Sequence, residues 1–109
     1  MPNARIVNTP NQAIPQGGTT HTQITISSSA VNLSSSLTLN GGTTHVLIQP
    51  NGANVRATFD GSTTPTASKG FKLTNGSASY WTPQMFNDAQ LIREGATNAT
   101  LEVQELNFI

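Results

Sequence analysis

Cysteine is absent from the 109 residues. That removes a disulfide framework and a thiolate zinc site at once. Charge is scarce. Lysine, arginine, aspartate and glutamate make up 9% of the protein, against about 25% in an ordinary soluble domain. Arg5, Arg56, Lys69, Lys72 and Arg93 balance Asp60, Asp88, Glu94, Glu102 and Glu105 to a net charge of zero. Nucleic-acid binding through phosphates takes a basic stripe, and a membrane-surface role takes a polybasic patch. The sequence has neither, so neither partner is expected. The longest apolar run is Val46-Leu47-Ile48, far short of the roughly 20 residues that span a bilayer. Met1-Pro2-Asn3-Ala4-Arg5 lacks the apolar stretch of a signal peptide. Folding in a cytoplasm is therefore expected, and the sequons at Asn32, Asn75 and Asn98 read as products of composition. Apolar residues reach only 35%, so a protein that fits one domain has little to spare for its core. Burial against a partner or a particle would supply the difference.

Serine, threonine and asparagine fill the gap, with 37 residues between them and 16 threonines alone. Threonine suits the pleated surface of a strand, and asparagine suits turns. From Thr19 onward apolar residues alternate with polar ones: Ile24 and Ile26, Val31 and Leu33, Leu37 and Leu39, Val46 and Ile48, Val55, Ala57 and Phe59, Phe71 and Leu73, Leu101 and Val103. Short runs with one apolar face are the pattern of sheets packed on one side and wet on the other. Asn40-Gly41, Asn51-Gly52, Asp60-Gly61 and Asn75-Gly76 punctuate the runs at intervals of 9 to 15 residues. Such dipeptides favour hairpins, and regular short strands between them predict a sandwich or barrel. The expected fold is all-β: an antiparallel, jelly-roll-like β-sandwich of about eight short strands over residues 19–109. Residues 1–18, broken by Pro2, Pro10 and Pro15 and by Gly17-Gly18, are expected to form an extended arm able to add to a neighbour's sheet edge.

Two local readings are sharper. If Asn75-Gly76 is a two-residue hairpin loop, Leu73 faces Ala78 and Phe71 faces Tyr80. Strict alternation then turns those four inward and leaves Lys72, Ser79 and Trp81 on the other face, unless Trp81 leaves the strand. Thr82-Pro83 reads as an N-cap with proline at the first helical position, opening about one turn over 84–88 before Ala89 to Arg93 resumes as a strand. An internal echo, Gly17-Gly18-Thr19-Thr20-His21 and Gly41-Gly42-Thr43-Thr44-His45, occurs only twice and is no repeat array.

Catalytic chemistry finds no footing. Glu102 and Glu105 fall on opposite faces of a strand, neither histidine has a nucleophile–acid setting, and no Gly-x-Ser-x-Gly elbow or phosphate loop occurs. No enzyme, cofactor or metal is expected; His21 and His45 could approach as two ligands, but a third with motif spacing is missing. The polar loop Asp60-Gly61-Ser62-Thr63-Thr64-Pro65-Thr66 has too few carboxylates for Ca²⁺ and reads better as a contact loop. Tyr80-Trp81 could form an aromatic platform, but the register above sends Tyr80 into the core and leaves Trp81 as the candidate. The apolar end, Leu106-Asn107-Phe108-Ile109, must dock somewhere. The candidate partner contacts are thus Arg5, Ile6 and Val7 of the arm, Ser62, Thr63, Thr64 and Pro65 of the loop, Trp81, and Phe108 and Ile109.

The stretch from Leu37 to Val103 resembles a group of small tailed-bacteriophage virion proteins. The resemblance rests on His45-Val46-Leu47-Ile48-Gln49, Gly52-Ala53-Asn54-Val55-Arg56, Asp60-Gly61, Pro65-Thr66-Ala67-Ser68-Lys69-Gly70, Leu91-Ile92-Arg93 and Ala99-Thr100-Leu101-Glu102-Val103. It implies a β-sandwich or jelly-roll virion component, assembled in the host cytoplasm. The expected role is a capsid decoration or cement protein, a homo-oligomer (trimer or dimer) bound to the major capsid protein or another virion protein. The alternative is a tail or head-fibre module that binds a host surface glycan.

Overall fold

The computed structural model of the protein describes residues 15–108, with side-chain burial from residue 19 to residue 107. Eight strands and two helical turns follow one another: β1 (Pro15–Ile26), β2 (Val31–Asn32), α1 (Leu33–Ser36), β3 (His45–Asn51), β4 (Val55–Thr58), β5 (Phe71–Leu73), β6 (Ser79–Trp81), α2 (Pro83–Asp88), β7 (Gln90–Arg93) and β8 (Ala99–Phe108). The strands form two four-stranded antiparallel sheets in the orders β1-β8-β3-β6 and β2-β7-β4-β5. The pairs β1–β8, β2–β7, β3–β6 and β4–β5 all lie side by side, as they do when one long hairpin is rolled over on itself. This is the jelly-roll order.

The alternating pattern decides which way each strand faces. In β3, Val46, Ile48 and Pro50 are buried, and in β8 Leu101, Val103 and Glu105 are buried; Ile24, Ile26, Val55, Ala57, Leu91 and Ala99 complete the layer between the sheets. Pro50 is tolerated inside β3 because β6 pairs only as far as Ile48↔Ser79. The missing N–H points past the end of β6, where the Pro50 carbonyl instead accepts from the Gly76 N–H at 2.7 Å.

The two ends of the sandwich are closed differently. At one end α2 starts on the Thr82 N-cap, whose hydroxyl accepts from the Met85 N–H at 3.2 Å. It lays Phe86, fully buried beside Leu33 of α1, over the core. At the other end the turns after β3 and β5 interlock. The Gly52 N–H donates to Asn75 Oδ1 at 2.9 Å, the Asn75 N–H donates to Asn54 Oδ1 at 2.7 Å, and Gln49 Nε2 donates to the Gly76 carbonyl at 2.9 Å.

Several local expectations are corrected. The runs around Leu33 and Leu37 are not strands: β2 stops after two residues, and α1 follows. The Leu33 N–H goes to the Ala89 carbonyl and the Leu37 N–H returns to the Leu33 carbonyl. Leu33 and Leu37, four apart, share one side of a helical turn. Asn75-Gly76 is not a hairpin loop either. The Ser77 N–H does bond the Thr74 carbonyl at 3.0 Å, but only Gly76 has positive φ (84°). That is the pattern of a type II turn, which splays the flanking strands instead of pairing them. β5 therefore joins β4 and β6 joins β3, in different sheets. The register Val46↔Trp81 and Leu47↔Tyr80 then turns Trp81 inward with Val46 and Tyr80 outward with Leu47. Trp81 is 4% exposed and Tyr80 59%. Residues 15–18 lie within β1 and pair on β8, with Pro15 opposite Phe108 and Gly18 opposite Leu106.

Candidate functional site

Two sheet faces and one open side of the sandwich carry the side chains that can meet a partner. On the outer face of the β1 sheet, register lines up His21, Gln104, Leu47 and Tyr80 across four strands, with Gln23, Glu102 and Gln49 in the next row. His21 Nε2 lies 2.6 Å from Glu102 Oε1, its Nδ1 3.0 Å from Gln104 Oε1, and Gln23 Nε2 donates to Glu102 Oε2 at 2.9 Å. The bond to Glu102, helped by Gln104, holds the His21 pKa above its usual value. The same bond, helped by Gln23, holds the Glu102 carboxyl below its own. Gln104 also donates to the Thr20 carbonyl at 3.1 Å. The face is a shallow depression of amides, one imidazole and one carboxylate, flanked by Leu47 and Ala78, and its polar atoms are bonded largely to one another. It is suited to broad polar contact.

The outer face of the β2 sheet is ionic. Arg56 Nε donates to Glu94 Oε2 at 2.8 Å, Lys72 Nζ lies 3.6 Å from Glu94 Oε1, and an Arg56 terminal nitrogen donates to the Gly70 carbonyl at 3.1 Å. Desolvation pushes the Glu94 pKa up, but the Asn54 amide, Lys72 and Arg56 together outweigh it and hold the carboxyl below its usual range.

The third surface lies where the two sheets end, at β5 and β6. Both are edge strands of three residues. Phe71 is 70% exposed although it stands opposite buried Ala57, whereas Leu73 at the other end of the same strand packs against the core. Its ring leans on Phe59, 6.0 Å between centroids, and Phe59 meets Trp81 edge-on at 5.0 Å. An aromatic line thus runs from the core at Trp81 to the surface at Phe71. A groove between the two edges is floored by Ile48, Pro50 and Leu73.

The loop over 59–70 links β4 to β5. Asp60 Oδ1 accepts from the N–H groups of Ser62 and Thr63 at 3.0 and 2.8 Å, and the Thr63 hydroxyl donates to Oδ2. The Thr63 hydroxyl and these N–H groups bring the Asp60 pKa down to about 2. Ser62 and Thr64 are exposed, Thr63 is half-buried, and Pro65 is fully buried. Pro65 therefore anchors the loop and is not part of its contact surface. Trp81 is likewise corrected from platform to core. Arg5, Ile6, Val7 and Ile109 lie outside the described residues; Phe108 closes β8 opposite Pro15.

The two copies of the echo flank the same end of β8. His21 stands opposite Gln104 on one side, and His45 stands opposite Leu106 on the other. The histidines are thus kept apart by a strand. Among the described residues no three His, Asp or Glu side chains gather as a metal site. The residues that sequence reasoning missed are Phe71 and Tyr80 as surface aromatics. They occupy apolar slots of an alternating pattern, and only the brevity of their strands, bounded by Gly70 and Asn75-Gly76, hinted that they sit at an edge.

No protein-family model matches the sequence, and no curated protein or solved structure matches it.

Proposed function

We propose that the protein is a non-enzymatic bacteriophage virion structural protein, a capsid decoration or cement protein that binds copies of itself and the capsid shell. The observation that carries this reading is the open side of the sandwich. Among the described residues, the two short edge strands β5 and β6 have no strand on their outer sides, and Phe71 and Tyr80 stand exposed on them. Exposed apolar surface beside unpaired edges marks contact sites. The low charge fits, because broad contacts then desolvate few ions. The jelly-roll order adds an argument from analogy, since viral capsid and lectin domains use it. Purified protein mixed with undecorated capsids and sedimented tests the reading. Wild type is expected in the pellet and Phe71→Ser in the supernatant; wild type that stays in the supernatant at every salt concentration overturns it.

A second reading, a tail or head-fibre module for a host glycan, is favoured by one feature. Tyr80 stands exposed in a row with Leu47, Gln104 and His21, an aromatic beside hydrogen-bonding side chains. Trp81 has no part in it. Binding on a glycan array that Tyr80→Ala abolishes supports this reading; binding that ignores the substitution removes it.

A further inference from the structure

Asparagine followed by glycine is chemically special, because an unhindered glycine nitrogen can attack the carboxamide carbon, Cγ, of the asparagine before it. The sequence holds three such pairs, Asn40-Gly41, Asn51-Gly52 and Asn75-Gly76, each followed by a small residue. Their intrinsic reactivities are therefore alike, and any difference between them comes from the fold.

Two of the three glycine nitrogens are held. The Gly52 N–H donates to Asn75 Oδ1 at 2.9 Å, and the Gly76 N–H donates to the Pro50 carbonyl at 2.7 Å. Each must break its bond before turning towards its own asparagine. Asn75 is held by its amide as well, since Oδ1 is the acceptor for Gly52. The third pair differs at the glycine nitrogen, the attacking atom, although its Asn40 amide is also held, by donation from Nδ2 to Thr20 Oγ1 at 2.9 Å. Asn40 to Thr43 is a turn closed by the Thr43 N–H on the Asn40 carbonyl at 3.1 Å, and among the described residues the Gly41 N–H has no acceptor. A Cβ built on Gly41 or Gly42 would meet nothing within 4 Å, so the peptide plane has room to rotate. Asn40, Gly41 and Gly42 are all exposed.

We infer that Asn40 is a site of spontaneous, fold-selected deamidation. The Gly41 nitrogen bonds to Asn40 Cγ and gives up its proton to solvent. The bond between Cγ and Nδ2 breaks, and ammonia leaves with a proton taken from solvent. Water then opens the resulting succinimide at either carbonyl, leaving aspartate or isoaspartate. One water is consumed and one ammonia released, with no change of oxidation state.

The position gives the change a structural consequence. Asn40 Nδ2 donates to Thr20 Oγ1 of β1 at 2.9 Å, and a carboxylate at residue 40 cannot make that donation. The Asn40 N–H and the Thr43 hydroxyl both serve the buried Glu105 carboxylate, at 2.7 and 2.8 Å. An isoaspartyl linkage lengthens the backbone between those two donors, and either product sets a new negative charge beside Glu105. Conversion therefore loosens the turn from both β1 and β8.

Incubation of the folded protein in mildly alkaline buffer, followed by peptide mass spectrometry, tests this. The peptide bearing Asn40 is expected to convert about tenfold faster than those bearing Asn51 and Asn75, the ratio that corresponds to about 1.4 kcal/mol. In urea, with the fold removed, the three rates should come together. Asn75→Ala removes the acceptor for Gly52 and should speed conversion at Asn51 in the folded protein. Comparable rates at all three sites in the folded state overturn the inference. So does an Asn40 preference that persists in urea, which would make it a property of sequence alone.

Discussion

The two ends of the sandwich solve one problem with different materials. Where β3 passes to β4 and β5 to β6, none of residues 52–54, 74–78 or 94–98 is buried, and the closure is a lattice of amide hydrogen bonds between turns. At the opposite end Leu33, Pro65, Phe86 and Ala89 are buried, together with the carboxylate of Glu105. A protein with 35% apolar residues concentrates its apolar closure at one end and makes the other from asparagine, glycine and backbone. Hydrogen-bonded polar turns contribute little net stability each, whereas apolar plugs contribute through burial and leave cavities when trimmed. The helical end should therefore dominate stability.

The strongest test of that asymmetry is Phe86→Ala, which empties the plug. A loss of about 3–5 kcal/mol is expected from the cavity left behind, read as a fall in the midpoint of urea denaturation. No side chain in the turns of the other end should match it. The glycines sharpen the same contrast. Gly70 has a φ of 124°, and a Cβ there would sit 2.9 Å from the Ala57 carbonyl oxygen, so both backbone strain and a clash oppose Gly70→Ala. Gly76, with φ 84°, has open space around it. Gly70→Ala should cost about 2–3 kcal/mol and Gly76→Ala about 1–2 kcal/mol. A reversed order would mean that the 74–77 turn is the more tightly determined of the two.

Glu105→Leu comes next. The carboxylate is 1% exposed and accepts from the Asn40 N–H and the Thr43 hydroxyl. Leucine fills the space but leaves both donors without their acceptor, a loss of about 1–3 kcal/mol. Glu105→Gln keeps an acceptor oxygen and should recover most of it. Amide hydrogen exchange at Asn40 and Thr43 should rise in the leucine variant while Gly52 and Gly76 stay protected; a rise at both ends would show that the two are coupled.

The same division separates what is legible in the sequence from what is not. Alternation in Val46 to Ile48, Val55 to Ala57 and Leu101 to Val103 announced the two layers, because period two is a property of the strand itself. Thr82-Pro83 announced α2, because capping is local chemistry. The destination of a strand is not local. Asn75-Gly76 marks a turn whether the backbone pairs back or crosses to the other sheet, and the sign of one φ at Asn75 decides which. Tyr80 and Trp81 changed places on that decision alone. The contact residues were harder still. Pro65 and Trp81 look like surface features by type, yet the loop wraps over one and the register with Val46 buries the other. The Glu102–Glu105 separation onto opposite faces was legible, but not that Glu105 would be buried with donors from a distant turn, since those lie 65 and 62 residues away in sequence.

The smallest expected effects are in acid and concern exposed groups. His21 has a raised pKa in the fold, so its contribution is complete below the ordinary value of 6.5 and fades as pH rises through the folded value. Glu102 has a lowered one, so its contribution is complete above 4.5 and fades as pH falls through the folded value. The pair is therefore strongest between those two ordinary values, and His21→Gln should flatten the thermal-stability profile on the alkaline side of that window. Asp60 separates the two ends more directly. Its pKa of about 2 lies below the ordinary 3.8, so its turn is intact at neutral pH and loosens only as pH falls through about 2. The backbone amides of Ser62 and Thr63 should then shift in NMR spectra with that midpoint. The Gly52 and Gly76 amides, bonded to an amide oxygen and a backbone carbonyl, should not move with them. If all four move together, acid is unfolding the whole sandwich, and the two ends do not open independently.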